Sequence, residues 1–252
     1  FCYFQPERLS KRHRSNACRT GRSELVRPFQ FIAFDLDGTL VDSAPDILPA
    51  LNQMLAKLGK EQVSLTQVQH WLGNGMAMLI KRALTGELHP AQWDPVLFEQ
   101  AQQLFIGFYQ QSNGSATRLF DQVPEVLAQL SQFYPLALVT NKPRQFTEPL
   151  LLHLGIKHLF KAVWCADDVA KAKPEPDMLL ALAKQQQLLP ADILLVGDSE
   201  NDIFAARAAG MPVIALSYGY NHGQSIAHSQ PDLVLECFSL LPEAICSLEQ
   251  ER

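Results

Sequence analysis

At 252 residues, 47% hydrophobic and 19% charged, the chain can bury a core without disulfide staples and is too apolar to be intrinsically disordered. Its formal net charge is −5, yet residues 1–28 hold seven Lys/Arg against two acids, which leaves the rest at −10. So acidic a body argues against a nucleic-acid partner, and no apolar stretch reaches the roughly 18 residues a membrane-spanning helix needs.

The basic leader, residues 1–28, contains Pro6 and Pro28 and no continuous apolar run. It reads as a solvated, disordered extension and not as a secretory signal. Next come residues 29–34 (FQFIAF), a short apolar run ending at Asp35, which predicts a buried strand. Residues 45–116 then break the pattern. Helical spacing covers 46–58, 65–71, 76–84 and 94–111, with no convincing strand between them. From there strands alternate with helices. The runs at 135–139, 162–165, 193–196, 212–216 and 232–235 predict strands, and 123–133, 146–154, 176–187 and 201–209 predict helices. Pro124 suits a first helical turn, and Gly155 and Gly210 suit helix ends.

This order predicts an α/β fold: a Rossmann-like parallel sheet with right-handed crossovers, built from residues 29–44 and 117–252. Residues 45–116 form a helical cap inserted after the first strand. Ligands of such sheets bind beyond the carboxyl ends of the strands, and the polar clusters of this chain follow its strands.

Four clusters carry chemistry. In Asp35-Leu36-Asp37-Gly38-Thr39, two acids follow the first strand and Gly38 permits a tight turn. Two carboxylates so close repel, and a hard divalent cation with oxygen ligands, such as Mg2+, offsets them. An ordinary Asp-Gly turn explains this cluster about equally well. Thr140-Asn141-Lys142 puts a hydroxyl and successive N–H groups after a strand, where they either hold a phosphoryl oxygen or cap a helix. In Lys173-Pro174-Glu175-Pro176 the prolines stiffen the backbone around Lys173, which becomes a fixed ammonium if it is not simply solvated. In Gly197-Asp198-Ser199-Glu200-Asn201-Asp202, Asp198 suits a metal, and Asp202 lies one helical turn on. The same residues would also serve as a helix cap.

Together, in this order, the four clusters resemble the motifs of haloacid-dehalogenase-superfamily phosphatases. Residues 35–46 (DLDGTLVDSAPD), 138–143 (LVTNKP), 173–177 (KPEPD), 196–203 (VGDSENDI), 217–221 (SYGYN) and 73–75 (GNG) are similar to bacterial phosphoglycolate phosphatases. The resemblance implies roles. Asp35 is the nucleophile and Asp37 the general acid and base. Lys173, Thr140 and the Asn141 N–H hold phosphoryl oxygens. Magnesium is bound by Asp35, the Asp37 carbonyl and Asp198, with Asp202 orienting them. Asn74, Gly75 and Arg82 are the candidate substrate-binding residues of the cap. The partner is then a small phosphorylated metabolite, foremost 2-phosphoglycolate, and the protein a monomer or homodimer.

A sugar phosphate, nucleotide or pyrophosphate phosphatase, or a phosphomutase such as β-phosphoglucomutase, shares these motifs. Asp37 argues against a dehalogenase. None of Lys57, Lys60 and Lys81 stands out as the Schiff-base lysine that phosphonate cleavage needs. A non-catalytic protein of this fold would be expected to have lost one of Asp35, Asp37, Lys173 and Asp198, and all four are present. Trp71, Phe105, Phe108 and Tyr109 read as the interior of the cap, and Cys165 as a small buried hydrophobe. Five cysteines without a C-x-x-C pair suggest reduced thiols in a cytoplasmic protein.

Overall fold

The computed structural model describes residues 29–250 and Arg252. The basic extension at residues 1–28 lies outside them.

Six parallel strands form the main sheet: β1 (Phe31–Phe34), β4 (Leu136–Thr140), β5 (Phe160–Cys165), β6 (Ile193–Gly197), β7 (Val213–Leu216) and β8 (Leu233–Leu235). Their spatial order is β5-β4-β1-β6-β7-β8, so the chain winds outward from β1 in both directions. β1 pairs with β4 on one side and β6 on the other. Helices cover both faces of such a central strand, so all four of its residues are apolar and buried, without alternation.

On one face of the sheet, Phe34, Leu138 and Val196 cluster with Leu127 of α5 (Val123–Ser131), Leu150 of α6 (Arg144–His153) and Ile245 of α9 (Leu241–Gln250). On the other, Ala33 and Leu195 cluster with Leu179 and Leu182 of α7 (Asp177–Gln186) and Ile203 of α8 (Glu200–Ala209).

Between the turn after β1 and α5 lies the helical insertion. It consists of α1 (Ala44–Lys57), α2 (Leu65–Trp71), α3 (Gly75–Thr85) and α4 (Pro95–Ser112). Local signals start and stop these helices. Ser64 and Gln67 form a capping box on α2, Asp94 accepts from the Val96 and Leu97 N–H groups at the start of α4, and left-handed Gly86 ends α3. The insertion has its own apolar interior, including Leu51, Met54, Trp71, Ile80 and Phe105. Phe146 and Tyr220 of the body join it from below. Tyr109 is buried there too, and Phe108 is partly so.

Two strands escape the sequence reading. β2 (Val41–Asp42) and β3 (Arg118–Leu119) pair antiparallel where the chain enters and leaves the insertion. The C-terminal helix α9 escapes it too, although Leu241, Ala244, Ile245 and Leu248 carry helical spacing.

Candidate active site

The site begins with the turn after β1. The Asp35 N–H bonds to the Val196 carbonyl at 2.9 Å, which continues the β1–β6 ladder to the last residue before the loop. The chain then doubles back, with Gly38 N–H on the Val41 carbonyl. Gly38 has φ +95°, and any Cβ there would collide with the Asp198 carboxylate. Gly219 meets the same carboxylate and Gly197 meets Asp202 in the same way, so three glycines let backbone close around two acids.

Lys173 reaches into this cluster from the loop before α7. Its ammonium lies 2.9 Å from Asp35 and 2.6 Å from Asp202, and donates to the Val139 carbonyl at 2.7 Å. Burial works against its charge, but Asp202 and Asp35 outweigh that and hold its pKa above the ordinary lysine value.

Asp198 accepts from the Thr39 hydroxyl at 2.5 Å and the Tyr220 N–H at 2.6 Å. Asp202 accepts from the Asp198 and Ser199 N–H groups and the Ser199 hydroxyl, and it forms a capping box with Ser199 at the head of α8. The helix-cap and the site readings of this motif are therefore both true of Asp202. Oxygens of Asp35, Asp198 and Asp202 lie within 4.8 Å of one another. Burial, offset in part by Lys173, raises Asp35 to about 7. Asp198 is also raised, first by burial and then by Asp35 and Asp202. One ammonium does not neutralise this set of carboxylates.

Asp37 points the other way, across the cleft. Its carboxylate pairs with Lys142 Nζ at 3.0 Å, and the same ammonium donates to the Tyr109 hydroxyl at 2.6 Å. Thr140 accepts from the Lys142 N–H at 3.1 Å, and it lines the cleft together with Asn141. The Asn141 side chain donates to the Lys173 carbonyl at 2.8 Å and the Gly73 carbonyl at 3.2 Å, and so joins body, lysine loop and insertion.

The cap residues differ from their sequence reading. Gly75 lines the cleft with φ +80°, close to the Asn141 carbonyl. Asn74 and Arg82 are not among its lining residues. Arg82 is neither solvated nor turned to the cleft. It is 2% exposed and bonds the Leu88 and Trp71 carbonyls and the Asn74 side chain. Asn74 in turn donates to Asn201 at the head of α8. Both hold the 71–75 loop in place, because a buried guanidinium must satisfy its donors locally.

Sequence reasoning missed Lys142 and Tyr109 as site residues. Lys142 sits inside the quoted Thr-Asn-Lys cluster, but its partner Asp37 is 105 positions away. It also missed Tyr220, whose hydroxyl bonds the Asp42 carboxylate and accepts from the Ser43 and Ala44 N–H groups, while its N–H holds Asp198.

Known proteins resemble this chain over most of its length. The family model described as haloacid dehalogenase-like hydrolase matches residues 32–216. A phosphoglycolate phosphatase of Photobacterium profundum is 44% identical over 219 residues, 86% of this chain and 95% of that one. One of Yersinia pestis is 45% identical over 217 residues, 85% and 92% of the two chains. Among solved structures, a predicted phosphoglycolate phosphatase from Haemophilus somnus superposes with TM-score 0.81 at 37% identity, covering 87% of this chain and 99% of that one. Together with the strand-end carboxylates and the buried lysine, these similarities identify the chain as a phosphatase that belongs to the haloacid dehalogenase-like hydrolase family.

Proposed function

We propose that this phosphatase hydrolyses 2-phosphoglycolate, with magnesium, through an aspartyl-phosphate on Asp35. The observation that carries the mechanism is the Asp35–Lys173–Asp202 ion-paired chain beside Asp198, buried at the ends of β1 and β6. The substrate reading rests on the name given to relatives 44–45% identical over nearly their whole length.

The residues present fit a magnesium ion. The donors are all oxygens, and of the three buried carboxylates only Asp35 and Asp202 pair with the one ammonium, so a hard divalent cation would offset the excess charge. Asp35 and Asp198 would hold it, with the Asp37 backbone carbonyl. Asp202 already accepts bonds on both oxygens, from Lys173, Asp198 and Ser199, and so orients the others. When bound, the ion neutralises phosphoryl charge during transfer.

The side chains supply the rest. Asp35, held by the last ladder bond of β1, attacks phosphorus in line and the ester oxygen leaves. Asp37 gives that oxygen its proton and later takes one from the water that cleaves the aspartyl-phosphate. Lys173 and the Thr140–Asn141 turn hold the remaining phosphoryl oxygens. The helical insertion covers the cleft and excludes water, and closure of such lids is a common gate. Among the described residues no helix is long and apolar enough to cross a membrane.

The test is phosphate release, with magnesium, from 2-phosphoglycolate, hexose phosphates, nucleoside monophosphates and pyrophosphate. Wild type should favour 2-phosphoglycolate in kcat/KM, and Asp35→Asn should release none. A different preferred ester would overturn the substrate while leaving the nucleophile in place. A bisphosphate-dependent isomer product without free phosphate would show a mutase instead.

A further inference from the structure

Besides Lys173, which Asp35 and Asp202 engage, the site holds a second buried cation, Lys142, which lines the cleft. It stands on the body, just past β4, and is 6% exposed. Its partners come from two directions: Asp37 from the β1 turn at 3.0 and 3.3 Å, and Tyr109 from α4 of the insertion at 2.6 Å. Tyr109 is itself held by stacking on Phe105, centroids 5.4 Å apart, and by contact with Phe146 at 4.7 Å. Burial opposes the charge on Lys142, but Asp37 and Tyr109 outweigh it and keep the group an ammonium.

An ammonium has three N–H donors. Those of Lys142 go to the two Asp37 oxygens, at 3.0 and 3.3 Å, and to Tyr109, at 2.6 Å. An anion in the cleft would take the place of the longer Asp37 bond. The cleft is also lined by Ile47, Leu72, Met76, Leu79, Phe105 and Phe146, side chains without a strong hydrogen-bonding group. These side chains offer nothing to the hydroxyls of a sugar, and their low polarity strengthens attraction between Lys142 and an anion.

We propose that Lys142 is the receptor for the carboxylate of the substrate, aimed by Tyr109 across the seam between insertion and body. The proposal deepens, and rests on, the reading of the substrate as 2-phosphoglycolate. In that ester a single methylene separates the leaving oxygen from the carboxylate. If Asp37 serves the leaving oxygen, the carboxylate falls beside the cation one hydrogen bond from Asp37. Thus the cleft selects short acidic phosphomonoesters over neutral ones of equal size. It does so only with α4 seated, because Tyr109 belongs to the insertion.

The experiment compares kcat/KM for 2-phosphoglycolate with that for 2-hydroxyethyl phosphate, its neutral counterpart, in wild type, Lys142→Met and Tyr109→Phe, at saturating magnesium. Wild type should prefer the acid. In Lys142→Met the ratio of the two constants should fall on the order of 10- to 100-fold, chiefly through KM for the acid, as expected for loss of one charged hydrogen bond. In Tyr109→Phe, which removes one hydroxyl, the ratio should fall severalfold in the same direction. Equal losses on both esters would overturn the proposal and leave Lys142 as a support for Asp37. If Lys142→Met does not fold, an unchanged ratio in Tyr109→Phe is enough to overturn it. Wild type with no preference for the acid would instead sink the proposed substrate, an outcome visible before any variant is made.

Discussion

At the scale of single residues, the site is organised around close approach and shared charge. Lys173 contacts two carboxylates and a carbonyl within a buried site. Lys173→Met should therefore lower kcat about a hundredfold or more, as loss of an electrostatic partner of a transition state does. It should also destabilise the fold, because Asp35 and Asp202 would lose their partner in the interior. Steady-state kinetics and denaturant melts read the two effects separately. Gly219 offers a subtler test. A methyl there would occupy the space of the Asp198 side chain. Gly219→Ala should displace Asp198 and weaken magnesium activation, raising the magnesium concentration at half-maximal rate. An unchanged magnesium titration would show that the β7 loop yields easily.

At the scale of elements, the two connections to the insertion are tied by one carboxylate. Asp46, in the first turn of α1, is fully buried. It accepts from the Gly114 N–H at 2.7 Å, the Ala116 N–H at 2.5 Å, the Ser115 hydroxyl at 3.0 Å and the Thr117 hydroxyl. These residues lead into β3, whose pairing with β2 closes the neck of the insertion. Burial opposes ionisation of Asp46, but four donors outweigh it and hold its pKa below the ordinary 3.8. A lowered carboxylate pKa gives stability that is complete above the unfolded value and is lost as pH falls through the folded one. Asp46→Asn cannot accept from all four donors and turns an amide N–H toward some of them. It should cost about 3 kcal/mol near neutral pH. The gap from wild type should begin to narrow as pH falls below about 4, where the unfolded carboxyl takes up its proton, and close only below the lowered folded value. Melting temperatures across the acid-to-neutral range would show this, and a pH-independent gap would mean packing, not charge, is at stake.

At the scale of the whole molecule, magnesium would bind only the folded chain, since Asp35 and Asp198 are 163 positions apart and meet at the ends of β1 and β6. Ligand at a hundred times its Kd should add about 2.7 kcal/mol to stability. Asp198→Asn should abolish most of that increment, and chelation should remove it from wild type, by differential scanning calorimetry. An increment that survives Asp198→Asn would place the ion elsewhere. The same reasoning ties the insertion to the body: Asn74 and Arg82 lock the 71–75 loop onto α8 through Asn201.

Six strands and eight of the helices were legible as apolar runs and helical spacing, because burial on one or two faces imposes a period on local sequence. The clusters at Asp35, Thr140 and Asp198 were legible because each lies at or just after the end of its strand, and parallel strands deliver their ends to one edge, while Lys173 was legible from the prolines around it. What the sequence could not show were relations between distant residues. β2 and β3 have two residues each, too few for any period, and more than seventy positions part them. The strand order and the pairing of Lys142 with Asp37 and Tyr109 arise only when the sheet is assembled. So does the turning of Arg82 away from the cleft, since which side of α3 is buried is decided by packing against α1, α2 and α4. Local patterning thus determined the elements and the chemistry at their ends. Tertiary packing alone decided which of those groups face each other, because side-chain contacts across a hundred residues leave no mark on either segment.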